Sequence, residues 1–149
     1  MSLTTSQTKS YVLVGIQFFC IGAIVLTGPW VATHVGLLGL ECFGVLLGMW
    51  ALATMRLKNL HILPDVKADG ALTTDGPYHW IRHPMYTAVL LVTLALVIDS
   101  FSYVRAFVWL LLLIDLIEKL SYEEQLLQIA YPEYQDYRSR TWRLIPRIF

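Results

Sequence analysis

Charge is what this chain has least of. Only 15% of its residues are charged, basic and acidic side chains balance at eleven each, and the formal net charge is zero. Nothing in that balance points to a nucleic-acid partner, which would call for a basic surface. Cysteine is scarce as well. Cys20 and Cys42 each lie inside an apolar run, as packing residues of two different membrane helices, with no disulfide expected between them. Histidine numbers four. His79 and His83 are spaced four apart, but Pro84 disturbs the backbone of the second, so no metal site is expected. The chain has no glycine-rich loop to cradle phosphate and no dinucleotide fingerprint. Ser100, Ser102 and Ser121 have neither a neighbouring histidine base nor the elbow of a hydrolase nucleophile.

Apolar sequence is there in quantity: 56% of the residues are hydrophobic, and mean hydropathy is +0.57. That is ordinary for a small membrane protein. After a polar stretch from Met1 to Ser10, read as a mobile tail, Tyr11 to Ala32 carries no charge and is long enough to cross a bilayer. It is read as a retained helix rather than a signal peptide, with Gly28-Pro29 marking its outer end and Trp30 at the interface. A second span covers residues 35–55. In it Gly44 and Gly48 are spaced to admit a neighbouring helix, and Glu41 reads as an interfacial carboxylate. Residues 85–98 and 101–117 form two further apolar arms around an Asp99-Ser100 turn, a helical hairpin. The first arm is short and reaches full length only by borrowing the helix before Pro84, with a kink there. Asp115 lies deep in the second arm and is expected to find a partner.

The expected fold is therefore an all-α integral membrane protein of one domain over residues 1–149. Four transmembrane helices are joined by a cytoplasmic loop, 56–84, and followed by amphipathic C-terminal helices, 118–149. With four spans, every Lys and Arg except Arg105 falls on one side. That makes this a multi-pass protein with its termini, loop and site facing the cytoplasm. The loop holds Arg56, Lys58, His61, Pro64 and Lys67.

Two clusters could carry chemistry. The first runs from Asp75 to Tyr86. Asp75-Gly76-Pro77 is a turn, Pro77 suits a helix start, and Pro84 biases His83 away from helical angles. Tyr78, Arg82, His83 and Tyr86 are thereby fixed at the edge of a membrane segment. The second lies in the tail. Glu123 and Glu124 interrupt the apolar stripe of Leu116, Leu120 and Leu127. Tyr134, Tyr137, Arg138, Arg140 and Arg143 then form an aromatic and basic stretch suited to the membrane interface. A strong cation, paired carboxylates and aromatic faces make a fitting inventory for a small zwitterionic cofactor. Taken alone, Glu123 and Glu124 also read as a salt-bridged helix surface.

At Gly76-Pro77-Tyr78, Arg82-His83-Pro84-Met85-Tyr86, Glu123-Glu124, Tyr134, Tyr137, Arg143 and Ile145-Pro146 the chain resembles the isoprenylcysteine carboxyl methyltransferase-like family. That broad group of membrane enzymes also contains phospholipid N-methyltransferases. The resemblance covers about Leu60 to Pro146. It implies methyl transfer from S-adenosyl-L-methionine to a lipophilic small molecule, or to an isoprenylcysteine-like carboxylate or thiol; a phospholipid or other amine is the alternative acceptor. It further implies a cofactor pocket built from Tyr78, Arg82, His83, Tyr86, Glu123 and Glu124, with Arg82 and Glu123 as the catalytic candidates. Membrane lipids and a lipophilic or lipidated acceptor are the implied partners. A non-catalytic membrane module with a degenerate site would bind no cofactor, and the intact set of residues argues against it.

Overall fold

Gly, Pro and caps divide the apolar runs into helices. The computed structural model describes residues 3–55 and 72–149. Among the described residues there are five α-helices and no strand: α1, Leu3–Leu26; α2, Val35–Thr54; α3, Pro84–Asp99; α4, Tyr103–Ala130; and α5, Tyr134–Arg140. A 3-10 turn, Gly76–His79, precedes α3. The expected loop residues Arg56, Lys58, His61, Pro64 and Lys67 lie outside the described residues.

Several boundaries differ from the sequence reading. The helix at the N-terminus already runs from Leu3, where a mobile tail was expected up to Ser10. Contacts account for the order there: Lys9 pairs with Glu118 at 3.7 Å and lies over the Tyr122 ring, while Ser10 is fully buried. The same helix stops at Leu26, short of Ala32, because Gly28-Pro29 follows. Pro84 does not kink a longer helix. It occupies the first turn of α3, where a missing N–H costs nothing, and His83 is the N-cap. The fourth apolar arm and the acidic pair lie on one unbroken helix, α4, whose N-cap Ser102 accepts a hydrogen bond from the Arg105 N–H. The C-terminal amphipathic helices reduce to the end of α4 and the short α5. Tyr134 and Tyr137 of α5 are buried against the protein, not spread on its surface.

Thr8–Leu26 and Val35–Thr54 are long and apolar enough to cross a membrane. Their exposed side chains are large and apolar, including Phe18, Phe19, Phe43, Leu46 and Met49. Helices from the core of a water-soluble domain would bury such residues. α3 is apolar but has 16 residues, about 24 Å at 1.5 Å per residue, against about 30 Å of hydrocarbon. α4 has 28 residues and carries Arg105, Asp115, Glu118 and Lys119.

α1 lies antiparallel to α4. Lys9 meets Glu118, Gln17 Oε1 accepts from Lys119 Nζ at 2.7 Å, and the Ile24 carbonyl accepts from Arg105. α2 lies antiparallel to α3. Gly44 sits under Val92, Ala88 and Leu91, and Gly48 under Ala88, as the small-residue spacing predicts. Cys20, Ile24, Leu90, Leu96, Leu112, Leu116 and Leu120 fill the core between α1, α3 and α4. Cys20 and Cys42 are free thiols. At the end away from the acidic pair, Asp99 closes the fold. Its carboxylate accepts from the backbone N–H of Thr33 and of His34 and pairs with His34 Nδ1 at 2.8 Å. Glu41 is likewise satisfied, accepting from the Ala32 N–H at 2.8 Å.

Candidate functional site

Local chemistry fixes the approach to α3. Gly76 adopts a left-handed φ of +56° and packs against Thr54 and Trp50 at the end of α2, a position that a side chain would strain. Pro77 then opens the 3-10 turn. Trp80 rests on Trp50 with ring centroids 5.9 Å apart, so this segment is anchored to α2 on one side.

The C-terminal segment anchors it on the other. Ile81 and Trp142 form an isolated parallel bridge. The Arg82 N–H donates to the Trp142 carbonyl at 2.7 Å, that of Trp142 to the Trp80 carbonyl at 3.1 Å, and that of His83 to the Arg143 carbonyl at 3.1 Å. One turn further, Thr87 Oγ1 donates to the Leu144 carbonyl at 2.9 Å. This strap presses residues 141–144 across the start of α3. The Tyr137 hydroxyl adds a hydrogen bond to the Tyr78 carbonyl at 2.7 Å.

Within that frame the two clusters meet. Arg82 Nε donates to Glu124 Oε1 at 2.7 Å. Arg82 Nη1 donates to the carbonyls of Arg138 and Thr141. The other Glu124 oxygen takes Arg143, with Nη2 at 3.0 Å. His83 lies between the acids, Nδ1 3.6 Å from Glu123 and Nε2 3.5 Å from Glu124. Its ring stacks on Tyr86, 5.3 Å between centroids and 2° between planes. The Tyr86 hydroxyl donates to Glu123 Oε2 at 2.9 Å, and Lys119 Nζ sits 5.4 Å from the Tyr86 ring centroid. Burial alone would raise the Glu124 carboxyl. The hydrogen bonds and charges of His83 and Arg82 overcome that and hold it at about 2. Burial pushes the Tyr78, Tyr134 and Tyr137 phenols above their ordinary range, so all three are neutral donors at neutral pH.

All six residues named from the sequence (Tyr78, Arg82, His83, Tyr86, Glu123 and Glu124) thus lie in one region, brought together across α3 and α4. Four contributors lie outside the set named from the sequence. Arg143 carries the second cation on Glu124; its place in the Arg143…Ile145-Pro146 pattern was the available signal. Lys119 lies one helical turn before Glu123. Thr141 and Trp142 act through backbone groups, which no side-chain pattern announces. Polar capacity is left over. The Tyr78 and Tyr134 hydroxyls are buried without a hydrogen-bond partner among the described residues. The Glu123 and Arg143 side chains stay 29% and 27% exposed. An apolar cleft of about 330 Å³ opens between α1, α2 and α3, walled by Ile21, Gly44, Gly48, Met49, Ala88 and Val92.

Such an arrangement can grip a small molecule bearing both charges while leaving an apolar approach from the side. Comparison with curated proteins and with solved structures finds no match. A family model does match, over residues 37–129, which is more than half of the 149 residues and takes in Asp75 to Tyr86 and the Glu123-Glu124 pair. The chain belongs to the isoprenylcysteine carboxyl methyltransferase family, a family of membrane methyltransferases.

Proposed function

We propose that this protein transfers a methyl group from S-adenosyl-L-methionine to a lipophilic acceptor, at the junction of the Arg82–Tyr86 element with Glu123 and Glu124. The observation that carries the reading is that junction. Two sequence clusters meet there through a buried Arg82–Glu124 pair, and the strap from residues 141–144 holds them together.

The residues present fit the cofactor. It is zwitterionic, with ribose hydroxyls and a flat base. Glu123 is free to take an ammonium or a hydroxyl, Arg143 and His83 a carboxylate, and the unpartnered Tyr78 and Tyr134 hydroxyls further polar atoms. Tyr78, Arg82, His83, Tyr86, Glu123 and Glu124 make up the proposed binding set, and Arg82 and Glu123 are the proposed catalytic pair. Their tasks divide. Arg82 and Glu124 fix the frame and its charge, while Glu123 and His83 have capacity left for the ligand. When bound, the cofactor supplies an electrophilic methyl group on a sulfonium. The protein's part is to align the reactants, an effect that can supply about 7–11 kcal/mol. It also keeps water from a reaction in which charge is neutralised.

The same reading places four helices across the bilayer, with α3 and α4 as a hairpin, the whole chain as one membrane domain, and the site at the cytoplasmic face. The distribution of Lys and Arg supports that orientation. Two internal charges of α4 support its crossing, because Arg105 Nη1 and Nη2 donate to helix-end carbonyls and Lys119 Nζ donates to Gln17. The apolar cleft beside Ala88 offers the acceptor's hydrocarbon a sideways entry.

The test is calorimetric titration of S-adenosyl-L-methionine into the purified full-length protein, followed by transfer of labelled methyl into a lipid extract. Binding should be lost in Arg82→Ala and Glu124→Ala variants that remain folded. Absence of binding by the wild-type protein sinks the reading.

A further inference from the structure

One polar side chain of α1 reaches the edge of the site just described. Gln17 lies within the apolar stretch Thr8–Leu26, outside the residues 37–129 that carry the family match. A glutamine on a helix apolar enough to cross a membrane is costly unless its polar atoms are used. Its Oε1 accepts from Lys119 Nζ at 2.7 Å. Lys119 is only 3% exposed, and its ammonium stands 5.4 Å from the Tyr86 ring centroid, within cation–π range.

Lys119 passes over a charged partner on its own helix. Asp115 stands four residues before it, the order in which an acid and a lysine pair best along a helix. Asp115 is 5% exposed, and neither of its carboxylate oxygens has a hydrogen-bond partner among the described residues. The sequence predicts a partner for it, and a buried, unpartnered anion should draw the lysine strongly. Glu123, four residues on, pulls less, because Tyr86 already bonds it and its side chain is 29% exposed. Yet Gln17 holds the ammonium, and the ammonium faces Tyr86. That orientation serves the site. The Tyr86 hydroxyl donates to Glu123 Oε2 at 2.9 Å, and its ring stacks on His83 with 5.3 Å between centroids. A cation at the ring makes the phenol O–H a stronger donor to the carboxylate.

We propose that Gln17 is a positioning residue of the methyltransferase site: it keeps the Lys119 ammonium against Tyr86 and away from Asp115, and so fixes the Tyr86–Glu123 hydrogen bond on which the cofactor's polar groups are received. That role rests on the methyltransferase reading and brings α1 into the site. With an apolar side chain at position 17, Asp115 is the strongest partner left to the lysine. The ammonium then turns back along α4 toward Asp115, whose Cα lies about 6 Å away along the axis at 1.5 Å per residue. Tyr86 loses its cation, and Glu123 loses the donor that held it in place.

The experiment titrates S-adenosyl-L-methionine into the full-length protein in detergent by calorimetry, for wild type, Gln17→Leu and the double variant Gln17→Leu/Asp115→Asn. Gln17→Leu should weaken binding about tenfold, which is about 1.4 kcal/mol and within the range of a desolvated cation–π contact. Adding Asp115→Asn should recover most of that loss, because the competing charge is gone. A glutamine that only packs α1 against α4 gives no such recovery. A second measurement needs no cofactor. Asp115→Asn should leave the unfolding midpoint of the wild-type protein unchanged or raise it, since it removes an unpartnered carboxylate. In Gln17→Leu the same change should lower the midpoint, since there the carboxylate has gained the lysine. If Gln17→Leu does not fold, Gln17→Met, of similar length without the acceptor, replaces it in both measurements. Unchanged affinity in the position-17 variant, a loss that Asp115→Asn does not restore, or an equal midpoint shift by Asp115→Asn in both backgrounds overturns the inference. With cofactor binding by wild type intact, such a result leaves the methyltransferase reading standing. If wild-type protein binds no S-adenosyl-L-methionine, it is that reading which fails, and the role of Gln17 in the site fails with it.

Discussion

Arg82 Nε and Glu124 Oε1 meet at 2.7 Å across 42 positions of sequence, with both side chains almost sealed from solvent, 7% and 5% exposed. Glu124 also takes Arg143. One carboxylate thus ties the entry of α3, the C-terminal part of α4 and the C-terminal strap together, and the site's shape depends on that tie.

Removing Glu124 leaves Arg82 buried without its countercharge, so Glu124→Ala should destabilise the protein by about 3–5 kcal/mol, and Arg82→Ala by a similar amount. The double variant should cost clearly less than the sum, because the second deletion removes the charge stranded by the first. Equilibrium unfolding of the four proteins in mixed micelles checks this. Additive costs would mean that the two side chains do not act as a pair.

The same tie sets a pH dependence. Burial alone would raise the Glu124 carboxyl, but His83 and Arg82 hold it at about 2, below its reference value of 4.5. A carboxylate whose folded pKa is depressed contributes stability that is fully present above the unfolded value and is lost as pH falls through the folded one. Glu124 should therefore add nothing pH-dependent at neutrality, and should lose its contribution between pH 4.5 and about 2. The melting temperature of wild type minus that of Glu124→Gln, followed against pH, should be flat above the window and shrink within it.

The sequence made much of this legible, for reasons that follow from periodicity. Long apolar runs locate α1 and α2 because a lipid-facing helix shows few polar side chains. Tyr78, Arg82, His83, Tyr86, Glu123 and Glu124 were readable as two clusters, because charges interrupting apolar runs stand out. The partner of each was not readable, since α3 and α4 could cross in many ways, and long-range contacts such as Tyr86–Glu123 and Arg105–Leu96 select one. Boundaries failed where tertiary contacts overrule local signals. Lys9 and Ser10 look like a tail until Glu118 and Tyr122 engage Lys9 and Ser10 is found buried. Pro84 reads as a kink only if a helix precedes it. Asp115 went the other way: a pairing was expected on energetic grounds, and Gln17, 102 positions from Lys119, takes the lysine instead.

Two glycines separate close packing from mere helix membership. A Cβ at Gly44 would stand 2.9 Å from Val92 Cγ2 and 3.1 Å from the Ala88 carbonyl, whereas one at Gly15 meets nothing within 4 Å. Gly44→Ala should push α2 off α3 and cost about 1–3 kcal/mol. Gly15→Ala should be neutral or stabilise by up to about 1 kcal/mol through helix propensity. Thermal denaturation in one detergent ranks them, and equal effects would mean that α2 does not pack on α3 through Gly44.

Arg105 does at the far end what Glu124 does at the site. Its Nη1 donates to the Ile24 carbonyl at 2.8 Å and to Thr27 Oγ1 at 3.1 Å, and its Nη2 to the Leu96 carbonyl at 2.7 Å. Those carbonyls belong to the last turns of α1 and α3, where helix carbonyls run short of donors; Leu96 also takes the Ser100 N–H at 3.3 Å. Gly28 is small because the guanidinium lies where its Cβ would be. Arg105→Ala should therefore cost about 1.5–3 kcal/mol through the lost charged hydrogen bonds. Gly28→Ala should destabilise the wild-type protein by displacing the guanidinium, and should have little effect once Arg105 is alanine. Unfolding of the single and double variants measures that coupling. If Gly28→Ala costs the same in both backgrounds, the arginine does not occupy the glycine's cleft, and the capping of α1 and α3 by one side chain is wrong.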